Sequence, residues 1–221
     1  MVDSRTLQQI YSGRFDEDAE RRNALWKVLC REFFSRWVAA DAHVLEVAAG
    51  HCEFINNIEC ASKTAVDLNP DVKIHAASDV TTIVKSSTDL DAIQDVSMDV
   101  VFVSNFFEHI SREDILATME QIRRKLRKGG RLLVLQPNIR FCARDYWMFF
   151  DHVTPLDDRS LTEALALSGF DVEHTIVRFL PYTTKGKLPA SPFLTRIYLH
   201  LPLAWRLLGA QSFVVASPSK R

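Results

Sequence analysis

Short apolar runs that stop at turn residues, alternating with segments of helical periodicity, fill the chain as far as Gln136 and leave few folds open to it. "VLEVAAG" sets Val44, Leu45 and Val47 before small residues and a glycine, which reads as a buried strand entering a tight turn. "TAVDLNP" is a second strand, ending at Asp67 where Asn69 and Pro70 stop it. "VKIHAASDV" reads as a third, weaker strand, and residues 81–97 carry no clear pattern. "MDVVFVSNFF" is the clearest strand, with Val100, Phe102 and Val103 ahead of Ser104 and Asn105. "RLLVLQP" follows the break at Gly129 and Gly130. Residues 16–38 repeat Leu25, Val28, Leu29, Phe33 and Trp37 at helical spacing. Residues 52–60 read as a short helix, and residues 112–128 as a strong one with Ile115, Met119, Ile122 and Leu126 on one face. Such alternation calls for a mostly parallel sheet covered on both faces and joined by right-handed crossovers.

The remainder differs. "DDRSLTEALALSGF" predicts a helix capped by Ser160 or a nearby Asp and stopped by Gly169. "DVEHTIVRFLP" is a strand, and "QSFVVASPSKR" ends the sequence as a strand with a basic tail. Between them lies an apolar, proline-punctuated insertion over about 181–209. With 221 residues the chain is read as one domain over 1–221, including an N-terminal helical segment over about 1–40. A net charge of -1 lacks the basic excess that nucleic-acid phosphates require, so no nucleic-acid partner is expected. The acidic N-terminal stretch is no secretion signal, and no apolar run reaches about eighteen residues. Four cysteines, not in close metal-type pairs, suit a reduced, cytoplasmic protein.

Chemistry in an open parallel sheet belongs beyond the carboxyl ends of its strands. The first strand ends in Ala48-Ala49-Gly50-His51, small enough for close backbone approach to a ligand. The second ends in Asp67, a carboxylate able to accept from two ribose hydroxyls. Together they suggest a nucleoside-containing cofactor, set against a plain turn at Gly50 and a helix cap at Asp67. A nicotinamide dehydrogenase would show G-x-G-x-x-G here, whereas "AAGHCE" has one glycine and is poorly suited to a pyrophosphate.

These segments in this order resemble the class I S-adenosylmethionine-dependent methyltransferases, of the branch that acts on small molecules. "VLEVAAGHCEF" is similar to the family's glycine-rich cofactor loop, "VDLNP" to its ribose segment and "HAASDV" to its adenine segment. "MDVVFVSNFFEHI" and "LRKGGRLLVLQPN" are similar to the fourth strand with its loop and to the turn into the fifth strand. "WMFFDHVTPLDDRSLTEALALSGF" resembles the substrate-side loop and helix. The resemblance spans roughly residues 20–180. It implies an α/β fold: a doubly wound, seven-stranded mixed sheet of Rossmann-like type, its last strand antiparallel between the fifth and sixth. It also implies S-adenosyl-L-methionine as cofactor, with Glu46 orienting the loop and Ala48, Gly50 and His51 lining the methionine portion. Asp67 would hold the ribose with Leu68 beside the adenine. Asp79 would accept from the adenine amino group with Val80 against the ring, and Ser104 and Asn105 would lie beside the sulfonium. The sequence departs from the family at Ala49 and Cys52, where small residues or glycines are usual. Cys52 is either a low-pKa thiol or an ordinary buried cysteine.

Methyl transfer needs orientation more than side-chain chemistry, apart from removal of an acceptor proton. His109, after the fourth strand, and His152, after the fifth, are the candidate catalytic bases. The alternative for His109 is loop packing. Tyr146, Trp147 and Phe150 are candidate walls of the acceptor pocket, set against core packing beneath the next helix. No metal is expected, since acids and histidines at ligand spacing are not evident near the fourth-strand loop. The insertion, with residues 193–208 apolar, reads as a lid or cover, a homodimer face or a peripheral membrane contact. The expected function is methyl transfer to an oxygen or nitrogen of a small molecule such as a sugar, lipid-linked precursor or secondary metabolite. The alternatives are a non-catalytic methyltransferase-like binding protein and a nucleotide-dependent oxidoreductase.

Overall fold

The computed structural model describes residues 19–182 and 191–220. Helix α1 (Ala19–Glu32) and a 3-10 turn (Phe34–Arg36) precede β1 (His43–Val47), α2 (Glu53–Asn57), β2 (Ser62–Asp67) and α3 (Val72–His75). Then come β3 (Val80–Val84), β4 (Met98–Ser104), a 3-10 turn (Phe107–His109), α4 (Arg112–Lys125) and β5 (Leu126–Pro137). Helices α5 (Ile139–Tyr146) and α6 (Asp158–Leu167), β6 (Phe170–Ile176), α7 (Pro192–Leu199), α8 (Pro202–Leu208) and β7 (Gln211–Pro218) complete the order.

The strands form one seven-stranded sheet in the order β3-β2-β1-β4-β5-β7-β6. β1 pairs in parallel with β2 and β4, β2 with β3, and β4 with β5. β7 runs antiparallel to both β5 and β6, as expected. Successive residues of β1 alternate between faces: Val44 packs into one core while Leu45 and Val47 pack into the other. Burial on both faces is why the strands read as continuous apolar runs.

One core is aromatic. Phe54 stacks on Phe102 at 3.8 Å and Phe33 on Phe179 at 4.1 Å, joining α2, β4, the end of α1 and the approach to the insertion. The other packs Ile115, Met119 and Ile122 of α4 and Leu161 and Leu165 of α6 against the sheet. Ser111 caps α4 by accepting from the Asp114 N–H, and Asp157 caps α6 in a reciprocal box with Ser160. Each cap is worth about 1 kcal/mol.

Three elements differ from expectation. "VKIHAASDV" is not a strand: Asn69 Oδ1 accepts the Asp71 N–H at 3.0 Å, and the turn it makes starts α3. The third strand is the β-branched run Val80–Val84. The strong helix stops at Lys125, and β5 begins directly at Leu126. The insertion is two short helices, each opened by a proline whose missing N–H costs nothing there. Phe193, Leu203 and Leu207 on them are exposed. Residues 1–18 of the N-terminal segment and 183–190 of the insertion lie outside the described residues.

Candidate active site

Parallel pairing brings the carboxyl ends of β1, β2 and β4 to one edge of the sheet, with the strand order reversing between β1 and β4. The loop leaving β1 alternates into left-handed backbone, with φ of 56° at Ala48, 51° at Gly50 and 59° at Cys52. Only one of these residues is glycine. The strained positions are thus 48 and 52 rather than 49 and 52.

Two carboxylates from neighbouring strands hold this loop. Glu46, buried in β1, accepts the Ile55 N–H at 3.0 Å and fixes α2. Asp67 accepts the Gly50 N–H and the Asn69 N–H, each at 2.7 Å. Burial raises the pKa of both acids, against the opposing pull of their backbone hydrogen bonds. Burial also pushes the Cys52 thiol far up, which removes the low-pKa alternative. His51 stacks on His75 of α3 at 4.1 Å, and its Nδ1 lies 3.2 Å from an Arg22 nitrogen. Leu68 is half-buried beside Asp67. Ser104 and Asn105 end β4 half-buried, Asn105 with φ of 47° and its N–H donated to Leu135 O.

Asp79 and Val80 do not join this group. They sit at the amino end of β3, because Val80 pairs with Lys63 and it is Val84 that lies level with Asp67. The Asp79 side chain is exposed and pairs with Lys63 at 2.8 Å. The carboxyl end of β3 instead delivers Lys85, whose N–H binds Asp67 O, followed by Ser86 and Ser87. A shallow depression edged by Arg123, Ala166 and Gly169 lies at the amino edge, away from this site.

Across the β1–β4 reversal, the loops after β4 and β5 are sewn together. Glu108 O accepts the N–H groups of Val153 and Thr154 at 2.8 and 3.1 Å. Thr154 Oγ1 donates to Ile110 O, and Tyr146 OH to Thr154 O, both at 2.6 Å. This stitching sets Asp151 and His152 against His109. His109 Nδ1 is 3.1 Å from Asp151 Oδ2, and the His109 and His152 rings meet edge to face at 4.8 Å. Glu108 is buried, with Oε1 3.8 Å from His109 Nε2 and Oε2 accepting from Gln136 Nε2 at 2.8 Å. Burial works against the His109 imidazolium, but Glu108 and Asp151 outweigh it and raise its pKa. Burial raises Glu108 in turn.

Of the proposed acceptor walls, Trp147 and Phe150 are exposed, whereas Tyr146 is a correction. It is 0% exposed, packs behind His152 and uses its hydroxyl to pin the loop. Phe149 is half-buried, its ring 5.0 Å from that of His152. Sequence reasoning missed Glu108 and Gln136. The signal for Gln136 was a lone amide inside the apolar run "LLVLQP".

A family model described as a methyltransferase domain matches residues 45–134. No curated protein matches the sequence. Among solved structures, the chain is similar to a SAM-dependent methyltransferase from Archaeoglobus fulgidus, at 17% identity and a TM-score of 0.64 over 88% of this chain and 93% of that one. It is also similar to the partner of the Trm112 methyltransferase activator in a Haloferax volcanii complex, at 15% identity and a TM-score of 0.66 over 92% and 94%. A geranyl diphosphate C-methyltransferase from Streptomyces coelicolor, solved with Mg2+, geranyl diphosphate and S-adenosyl-L-homocysteine, matches at 11% identity and a TM-score of 0.56 over 82% and 72%. Likeness at these identities is a likeness of fold.

Proposed function

We propose that this chain is a class I S-adenosylmethionine-dependent methyltransferase that methylates an oxygen or nitrogen of a small-molecule acceptor held between the loops after β4 and β5. The observation that carries the proposal is the pairing of two structures across one strand reversal: the Glu46- and Asp67-braced loop on one side, and the His109–His152 cluster on the other.

The donor set fits the cofactor. Left-handed backbone keeps the loop after β1 tight at Gly50, and a carboxylate with two backbone donors keeps further lone-pair sites for hydroxyls. When bound, S-adenosylmethionine supplies a methyl group on a sulfonium, already a good leaving group. Asp67 takes the ribose hydroxyls, with Leu68 beside it. Ala48, Gly50 and His51 border the methionine portion, and Ser104 and Asn105 the reactive end. Trp147 and Phe150 screen the acceptor from water. His109, oriented by Asp151, and His152 receive the proton that the acceptor gives up. The antiparallel β7 argues against a six-stranded parallel dinucleotide sheet and so against an oxidoreductase. Four free cysteines support a cytoplasmic setting, and no helix among the described residues is long and apolar enough to cross a membrane. The exposed faces of α7 and α8 favour a contact role for 193–208.

The test is a panel of hydroxyl- and amine-bearing metabolites assayed for transfer of labelled methyl from S-adenosylmethionine. His109→Ala and His152→Ala are expected to lower turnover by roughly 10²–10⁴-fold with cofactor affinity nearly unchanged. Turnover within about threefold of the parent in the double variant would remove both histidines from the chemistry.

A further inference from the structure

We propose that Glu108, His109 and His152 form a binding site for one divalent transition-metal cation at the acceptor side of the cleft. One ligand atom from each lies within 4.8 Å of the other two. Three ligands about 2.1 Å from one cation stand about 3.0–3.6 Å apart, so side-chain movements of about 1 Å close the site.

The surroundings are arranged as those of a metal centre are. Asp151 Oδ2, 3.1 Å from His109 Nδ1, holds that nitrogen and turns Nε2 toward Glu108. Gln136 donates to Glu108 Oε2 and leaves Oε1 facing that same Nε2 at 3.8 Å. A carboxylate behind a ligating imidazole and an amide behind a ligating carboxylate are the outer contacts that fix such ligands. The backbone bonds from Val153 and Thr154 to Glu108 O lock residues 108–109 and 151–152 together before any ion arrives.

Charge points the same way. Glu108 is 1% exposed, and among the described residues no lysine or arginine pairs with it. A carboxylate buried this deeply needs compensation, which a dication beside it supplies. Two imidazoles and one carboxylate select zinc, iron, manganese or cobalt over magnesium and calcium, which prefer all-oxygen shells. His109 keeps 25% of its side chain open, so water or an acceptor oxygen completes the shell from the cleft. The cation's role rests on the functional reading above: when bound it would hold the acceptor hydroxyl and acidify it, the proton leaving to solvent water at the open side of the cleft, and the two histidines would serve as bases only with the site empty. Its binding does not depend on that reading. Sequence spacing hid the site because His152 is far from Glu108 along the chain.

The full chain, stripped with chelator and dialysed, is titrated calorimetrically with Zn2+ and, separately, Mg2+, without cofactor or acceptor. One Zn2+ per chain is expected, held at least 100-fold more tightly than Mg2+. Glu108→Gln, His109→Ala and His152→Ala should each weaken Zn2+ at least tenfold, Asp151→Asn by 10–100-fold, and His174→Ala not at all. Co2+ loaded into the unmutated chain should give the visible d–d absorption of a nitrogen-and-oxygen site, which needs no variant to fold. Binding below a tenth of an ion per chain, affinity indifferent to all three ligand variants, or a thiolate charge-transfer band would overturn the site. Zn2+ binding without methyl transfer to any acceptor would overturn the function and leave the site standing.

Discussion

Ala48 carries a cost that a glycine would not. At φ of 56° its Cβ crowds the adjoining backbone, and such a residue is worth about 1–2 kcal/mol of strain. Ala48→Gly is expected to raise stability by about 1 kcal/mol, read as a higher urea midpoint at unchanged slope. Glu46 gives a pH signature. Its pKa lies well above 4.5 in the folded state, so the folded protein keeps a proton that the unfolded chain has released. Its contribution is therefore full below the unfolded pKa and lost as pH rises through the folded one, and Asp67 adds the same sign. In Glu46→Gln that decline should shrink across a pH series of unfolding curves while the bond to Ile55 N–H survives through the amide oxygen. Asp67→Asn is harsher than shape alone suggests. Both oxygens accept backbone N–H groups, so an amide nitrogen would face one of those donors. A loss of roughly 1–3 kcal/mol in S-adenosylmethionine binding is expected, with a fall in stability beside it. Equal affinity in a titration would take Asp67 out of the site. Most of this loop was legible, because small residues and acids at strand ends have few other uses. The Asp151–His109 pairing was not, since nothing in the sequence says which distant loop an acid will meet.

Among the elements, two glycines differ sharply in what surrounds them. A Cβ at Gly209, between α8 and β7, would lie 2.6 Å from Trp205 O, 2.7 Å from Arg178 C and 2.9 Å from Phe179 N, all backbone. Gly209→Ala should cost about 1–3 kcal/mol or more, whereas Gly129→Ala meets nothing within 4 Å and should cost only its backbone strain at φ 81°, about 1 kcal/mol. Thermal unfolding of the two variants side by side measures the difference. Strand–helix alternation made β1, β2, β4 and β5 readable. β3 was displaced because "HAASDV" carries an acid, Asp79, immediately before the true strand begins at Val80, and the β-branched "VTTIV" was passed over. That slip moved Asp79 from the cofactor edge to the opposite one. Tyr146 and Trp147 share a dense aromatic stretch, and only the helix ending at Tyr146 decides that the first turns inward.

For the whole molecule, cofactor and fold are linked by mass action. At a hundredfold excess over Kd, S-adenosylmethionine should stabilise the folded chain by about 2.7 kcal/mol, a rise of about 5–10 °C in Tm. A nicotinamide dinucleotide at the same concentration should leave Tm in place, and the reverse outcome would exclude the methyltransferase site. The placement of β7 has a consequence for how the protein comes into being. Gln211–Pro218 separates β5 from β6, so a growing polypeptide holds two strand edges apart until residues 211–218 have been translated. Synthesis can prebuild β1 to β5 and can hold β6 ready, yet it cannot join them. Any ribosome that stalls before residue 211 releases a product with unpaired strand edges, the kind of surface on which aggregation begins and which chaperones must cover.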